Sequence, residues 1–256
     1  PFRSPDGNFN GNFRAGSILR NLSGAADAGL LAEVLAECAT PGATLIVGVT
    51  GSVAAGKTTL SNAVAGHLRS TVHVEIISTD GFLLPNDVLA QRGLALRKGY
   101  PESYDIALLS GVLQRARWGA VRVPGYSHAA YERAPELDRT IERPDILIVE
   151  GLGFSLKANQ RSPASLLDLL VYVDADERTL EAWFVQRFMG FWRDAATNPA
   201  SFYARFQSLA ESEAETFARE VWAGVNLPNL RDNIAPLKRQ ADIVVSKSAD
   251  HALRLS

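Results

Sequence analysis

A glycine, a second glycine five residues later, and then Lys-Thr is a spacing that can hold the phosphates of a nucleotide. The run Gly51-Ser52-Val53-Ala54-Ala55-Gly56-Lys57-Thr58 has it, with Thr59 following. Each residue type has a physical task. Glycines let backbone N–H groups curl around phosphate oxygens. A helix starting after Gly56 adds the positive end of its dipole. Lys57 has the reach for β- and γ-phosphates, and the Thr58 hydroxyl is a ligand for Mg2+. The alternative is a small-residue turn that matches by chance. The flanks favour the phosphate loop: the aliphatic run Leu45–Val49 precedes it, and Leu60, Val64 and Leu68 follow at helical spacing.

Two carboxylates stand where a reaction centre would use them. Asp80 follows Ile76-Ile77-Ser78-Thr79, and Glu150 ends Asp145-Ile146-Leu147-Ile148-Val149-Glu150. In open α/β sheets, sites form beyond the carboxyl ends of strands. Asp80 is there a candidate base for an acceptor hydroxyl, or a Mg2+ ligand, or only a turn residue before Gly81. Glu150 after four aliphatics has the form of a Walker-B acid that holds Mg2+ or its water, or of an ordinary strand end. The loop by itself leaves kinase, GTPase and motor ATPase open. The nearest match to a guanine-binding Asn/Thr-Lys-x-Asp, Ser246-Lys247-Ser248-Ala249-Asp250, has the wrong spacing. No long central region suggests a motor. A small-molecule kinase is the better class.

An acceptor side is also visible. Trp183, Phe184, Phe188 and Phe191 recur at helical spacing around Arg187, and Phe202, Phe206, Phe217, Val221 and Trp222 continue the stripe. Such a stripe is core or pocket wall. Arg187 and Arg193 beside it favour a pocket, since arginines stabilise transferring phosphate. Arg193–Pro199 reads as a mobile connection, a candidate lid. Tyr126-Ser127-His128 with Tyr131 forms a second polar-aromatic cluster, a functional loop or a surface turn.

These residues need a scaffold. Apolar runs at Thr44–Val49, Val72–Ser78, Ile146–Val149, Leu169–Val173 and Ile243–Val245 read as strands covered on both faces of a parallel sheet. Helical patterns lie at 26–38, Thr58–Arg69, Ile106–Trp118, Glu177–Phe191 and Ser201–Val225. Alternating strands and helices mean an α/β fold. The chain has 256 residues, 46% hydrophobic and 21% charged, which excludes a disordered or collagen-like protein. A net charge of −2 gives no global field for nucleic acid or an anionic membrane. Cys38 alone excludes an intrachain disulfide framework and points to a reducing compartment. The uncharged stretch from Cys38 to Gly56 is broken by Pro41 and glycines and is expected not to span a membrane. Residues 1–20, rich in Gly, Asn and Arg, are expected to form a poorly ordered arm. The remainder, 21–256, is expected to be one domain with insertions at about 92–132 and 177–226.

Longer motifs then accumulate. GSVAAGKTT, STDGFLLPN, RGLALRKGYPESYD, YSHAAYE, PDILIVEGL, VYVDA, RFMGF, NLPNLRDNIAP and SKSADHA occur in this order. Over about residues 44–256 the chain resembles the bacterial type I pantothenate kinases. The resemblance implies an α/β P-loop kinase fold, with a mainly parallel sheet, helices on both faces and a helical lid or acceptor region. It implies ATP with Mg2+, transfer of the γ-phosphoryl group to the 4′-hydroxyl of pantothenate, and a cytoplasmic homodimer. By position, Lys57 and Thr58 bind phosphates and Mg2+, Asp80 is the base or hydroxyl-orienting carboxylate, and Arg187 contacts transferring phosphate. Tyr126, His128 and Asn226 fall in the acceptor pocket, with Phe184, Phe188, Phe191, Phe202 and Phe206 as its wall. Lys247 and His251 flank the adenine.

The chain departs from the family pattern at several of these positions. Family tyrosines fall at Phe184, Phe202 and Phe206, and a pocket phenylalanine falls at Ala196. The lost hydroxyls imply weaker or different acceptor recognition, which keeps another hydroxylated metabolite open as the acceptor. Asn62 stands where the family has an arginine linked to coenzyme A feedback. A regulator that binds nucleotide or coenzyme A without catalysis is the third reading.

Overall fold

The computed structural model describes residues 24–154 and 163–255, with side chains from residue 27 onward. The expected arm at 1–20 lies outside them. β1 (Gly24–Ala26) leads into α1 (Ala28–Cys38), whose N-cap Asp27 accepts a hydrogen bond from the Leu30 N–H at 2.9 Å. Gly42, at φ +79°, turns the chain after α1. β2 (Leu45–Gly51) and α2 (Lys57–Leu68) flank the phosphate loop. β3 (Val74–Ser78), the short α3 (Asn86–Gln91) and α4 (Ile106–Ala116) follow. Next come β4 (Val121–Val123), β5 (Tyr126–Ser127), β6 (Glu132–Arg133), β7 (Arg139–Ile141) and β8 (Ile146–Glu150). The chain closes with β9 (Leu169–Asp174), α5 (Glu177–Asp194), α6 (Glu211–Val221), β10 (Ile243–Lys247) and β11 (Leu253–Leu255).

The five expected strands are all present and lie side by side in parallel, in the order β3-β8-β2-β9-β10. β11 and β1 extend the β10 edge antiparallel, which completes a seven-stranded sheet. Every residue of β2 is buried, as its unbroken apolar sequence requires of a central strand covered on both faces. From β2 the chain goes outward to β3 on one side and later to β9 on the other. The carboxyl ends of β2, β8 and β3 therefore open on one crevice. The opposite end is tied by Asp168, which accepts from the Ile46 N–H at 2.8 Å and pairs with Arg117 at 2.9 Å.

One helix departs from its sequence pattern. Ser201–Val225 is not continuous: Phe202–Phe206 form a 3-10 turn, and α6 begins only at Glu211. Ser201 caps that turn by accepting from the Tyr203 N–H, and Glu213 reaches back to the Ala210 N–H at 2.8 Å. These local side-chain bonds favour two helix starts over one long helix. Beyond Val221 the helix continues through wide π turns at Trp222–Asn226 and Leu230–Ile234. The expected loop at Arg193–Pro199 begins inside α5, and Arg193 pairs with Glu211 at 2.5 Å. Apart from the main core, Val185, Phe188 and Met189 of α5 pack with Ala214 and Ala218 of α6 into a second, smaller core.

Candidate active site

The donor side is built from backbone. A Cβ at Gly51, φ +143°, would collide with the Val173 carbonyl, and a Cβ at Gly56, φ +90°, would stand 2.7 Å from the Lys247 ammonium. Only glycine suits either place. No side chain caps the start of α2, so its first amides remain open to an anion. Lys57 folds back over the loop and donates to the Ser52 carbonyl at 2.8 Å and the Gly51 carbonyl at 3.2 Å. Burial lowers its pKa, while the charges of Glu150 and Asp80 oppose that shift and Arg187 adds to it. Thr58 and Thr59 are exposed beside it.

Lys247 donates to the Ala55 carbonyl at 3.3 Å and lies 4.4 Å over the Trp183 ring. His251 stacks on the other side chain of that pair, with ring centroids 4.9 Å apart and planes at 22°. Trp183 thus joins the two residues expected to flank an adenine. The sequence shows Trp183 only as part of a helical stripe, and its role depends on partners more than sixty residues away.

The two carboxylates converge. The strand register sets Glu150 between Val49 of β2 and Ser78 of β3. Ser78 turns the chain by accepting from the Asp80 N–H at 3.3 Å. Gly151, φ +144°, is required because a Cβ there would run into Thr79. Burial raises the Glu150 pKa, Lys57 lowers it, Asp80 raises it, and hydrogen bonds from Ser78 and Thr58 lower it. Thr58 thus acts on Glu150 across the mouth of the loop, as a shared cation site requires. Among the described residues no group of three or more His, Cys, Asp and Glu side chains makes a metal cage. Thr58 and Glu150 fit Mg2+ in its usual mode, which takes few protein ligands and leaves positions for water and phosphate.

On the acceptor side, β5 and β6 form a short hairpin, and rings pass from it to α5. Tyr126 contacts His128 at 5.2 Å and Tyr131 at 6.5 Å, and Tyr131 lies 4.6 Å from Phe202. Phe202 meets Tyr203 at 5.4 Å, and Tyr203 stacks on Phe191 at 5.0 Å. Arg187 stands 5.5 Å from the Phe191 ring and is exposed. Desolvation lowers the His128 pKa, with Asp80 raising and Arg187 lowering it. Burial lifts the Tyr131 phenol to about 12, with Tyr203 and Asp80 adding and Arg187 opposing. The charges of Asp80 and Arg187 act on both His128 and Tyr131, and Tyr203 acts on Tyr131, which gathers these side chains around one space.

Lys98, which motif reading passes over, fixes the hairpin. It donates to the Asn86 side chain at 2.7 Å and the Tyr131 carbonyl at 2.6 Å, and sits 4.2 Å from the Tyr131 ring. Glu132 returns a bond to the Asn86 N–H at 2.7 Å. Tyr131 holds φ +53°, a strained value for a bulky residue. Asn226 lies in the first π turn, beside Val225, whose carbonyl accepts from the Tyr100 hydroxyl at 2.9 Å.

The aromatic stripe divides. Phe188 is buried against Tyr203, Phe206 and Phe217 at 5.5, 5.9 and 5.9 Å, so it is chiefly core, and Phe206 packs on Phe217 at 5.0 Å. Phe184 leans on the buried Trp222 at 5.9 Å. Phe191 and Phe202 remain on the ring path to the hairpin. Ala196 and Asn62 are exposed.

Residues 46–198 match the Phosphoribulokinase / Uridine kinase family. The chain is 41% identical over 220 residues to the pantothenate kinase of Xanthobacter autotrophicus, covering 80% of this chain and 68% of that protein. It is 42% identical over 223 residues to the pantothenate kinase of Leifsonia xyli, covering 84% and 68%. Among solved structures, a candidate fructose transport system kinase from Silicibacter sp. TM1040 superimposes with a TM-score of 0.66 at 24% identity, over 80% of this chain and 93% of that one. The last likeness concerns the fold alone.

Proposed function

The chain belongs to the pantothenate kinases and, through its matched core, to the phosphoribulokinase/uridine kinase family, and on that premise we propose that it transfers the γ-phosphoryl group of ATP to the 4′-hydroxyl of pantothenate. The observation that carries this reading is the meeting of Lys57, Glu150, Asp80 and Arg187 in one electrostatic neighbourhood beside a ring of tyrosines.

The residues fit the nucleotide. The uncapped start of α2 and the glycine-only bends at Gly51 and Gly56 leave room for phosphate oxygens. Thr58 and Glu150 would hold Mg2+, which when bound offsets phosphate charge during transfer. Lys57, already desolvated, holds a positive charge where water screens it little, so its effect on developing phosphate charge is large. Asp80 takes or orients the proton of the attacking hydroxyl. Arg187, exposed and without a hydrogen-bond partner among the described residues, is free to swing onto the moving phosphoryl group. Tyr126, Tyr131 and His128 face the acceptor, with the desolvated His128 neutral at pH 7. Trp183, Lys247 and His251 receive the adenine. The same reading carries over from the family a homodimer and a cytoplasmic setting. No described helix is long and apolar enough to cross a membrane.

A second reading, transfer to another hydroxylated metabolite, draws on Phe184, Phe202 and Phe206, which present no hydroxyl to a polar acceptor. ADP release with pantothenate, pantetheine, nucleosides, glycerate and sugars separates the two. Highest kcat/KM on pantothenate is expected. Turnover no higher than the acceptor-free control with pantothenate, beside turnover of another acceptor, would replace the first reading by the second.

A further inference from the structure

We propose that the Tyr203 hydroxyl recognises the acceptor, binding a polar group of the substrate set back from the hydroxyl that is phosphorylated. This deepens the reading of the site as a pantothenate-type kinase and rests on it. The loss of hydroxyls at Phe184, Phe202 and Phe206 leaves Tyr203 as the one phenol between α5 and α6 that borders the ring path to the hairpin. Its ring is clamped on three sides, stacked on Phe191 at 5.0 Å and edge-on to Phe188 and Phe202 at 5.5 and 5.4 Å. A clamped ring has a fixed direction for its oxygen, so the hydroxyl is pre-organised.

Tyr203 borders the acceptor space, with Phe202 between it and Tyr131 at ring-centroid distances of 5.4 and 4.6 Å. Its charge state bears on Tyr131 and Tyr126, both of which also feel Asp80, and Arg187 acts on Tyr203 in turn. Yet the hydroxyl makes no hydrogen bond among the described residues; only the Tyr203 backbone N–H does, to Ser201. Phenylalanine would fill the same stack, so the ring packing asks for no hydroxyl there. Tyr203 is half-buried, and its oxygen is open to a ligand. On the ring path Tyr203 stands one ring further than Phe202 from the hairpin. It suits an elongated acceptor with a distal amide, hydroxyl or carboxylate.

The test compares wild type, Tyr203→Phe and Tyr203→Leu for ADP release and melting temperature. Tyr203→Phe is expected to raise the KM for pantothenate roughly 3- to 10-fold, the effect of one neutral hydrogen bond. Its kcat, its KM for ATP and its melting temperature should stay at wild-type values. Tyr203→Leu, which also removes the ring, should lower the melting temperature. An unchanged pantothenate KM in Tyr203→Phe, or changes in melting and ATP KM alongside it, overturns the assignment. If wild type turns over another acceptor and not pantothenate, the parent reading falls separately. The same KM comparison on that acceptor then decides Tyr203. If no acceptor is phosphorylated, both fall.

Discussion

The donor and acceptor sides of the crevice are made in different ways. The phosphate loop is backbone geometry: Gly51 and Gly56 at positive φ, an uncapped helix start, and one lysine bonded to two loop carbonyls within six residues of it. The acceptor wall is side chains gathered from β5, β6, α5 and the turn at Phe202–Phe206, held by contacts such as the Phe202 N–H to the Ala129 carbonyl at 2.8 Å. The bends of the loop are set within a few residues and tolerate few residue types, and Val173 and Lys247 close against its glycines. A gathered wall can exchange a hydroxyl between neighbouring rings and keep its shape.

The largest expected effect tests the donor side. Lys57→Ala should lower kcat on the order of 10³-fold, as removal of a preorganised charge does at such sites. Stability should change by less than about 1 kcal/mol, because two loop carbonyls regain water as the buried charge is removed. Single-turnover kinetics and a circular-dichroism melt check both. Wholesale unfolding would mean that Lys57 holds the loop as much as it holds phosphate, and the contrast between the two sides would weaken.

The same contrast explains what was legible in the sequence. The five parallel strands and the phosphate loop follow from local patterns, an unbroken aliphatic run and a glycine spacing, and they stand where those patterns put them. Asp80 lies just past the end of β3 and Glu150 ends β8, the places that the aliphatic runs before them indicate. The pattern at Ser201–Val225 does not give one helix, because period alone does not register the backbone bonds that Ser201 and Glu213 make at new helix starts. The tasks of Lys98 and Trp183 are not legible locally, because each depends on a distant partner, Tyr131 for one and Lys247 for the other. Phe188 and Phe191, three positions apart, have the same residue type and face, and only packing separates core from pocket.

That separation gives the second prediction. Phe188→Ala should destabilise the protein by about 3–5 kcal/mol, since it opens a cavity in the smaller core. The pantothenate KM of the folded fraction should remain near wild type. Phe202→Ala should do the reverse: a stability loss under about 2 kcal/mol for a half-buried ring, with a raised acceptor KM. Urea unfolding and steady-state kinetics on both variants read the split. Equal changes in both quantities for both variants would show one continuous wall in place of a core and a pocket.

The smallest effect concerns the lysine that braces the acceptor hairpin. Burial lowers the Lys98 pKa from 10.5 to about 8, with Glu132 and Asp80 opposing. Below about pH 8 both folded and unfolded chains carry the proton, and the folded state bears the full penalty of a desolvated charge. Between about 8 and 10.5 the unfolded chain keeps the proton while the folded one has released it, so rising pH favours folding through this group. The stability difference, wild type minus Lys98→Met, should accordingly be flat below pH 7 and increase from pH 8 to 10.5, where other titrations affect both proteins alike. Urea midpoints at intervals across that range measure it. A difference that stays level to pH 10 would mean that Lys98 keeps a solvent-like charge rather than a desolvated one that it gives up as pH rises past about 8.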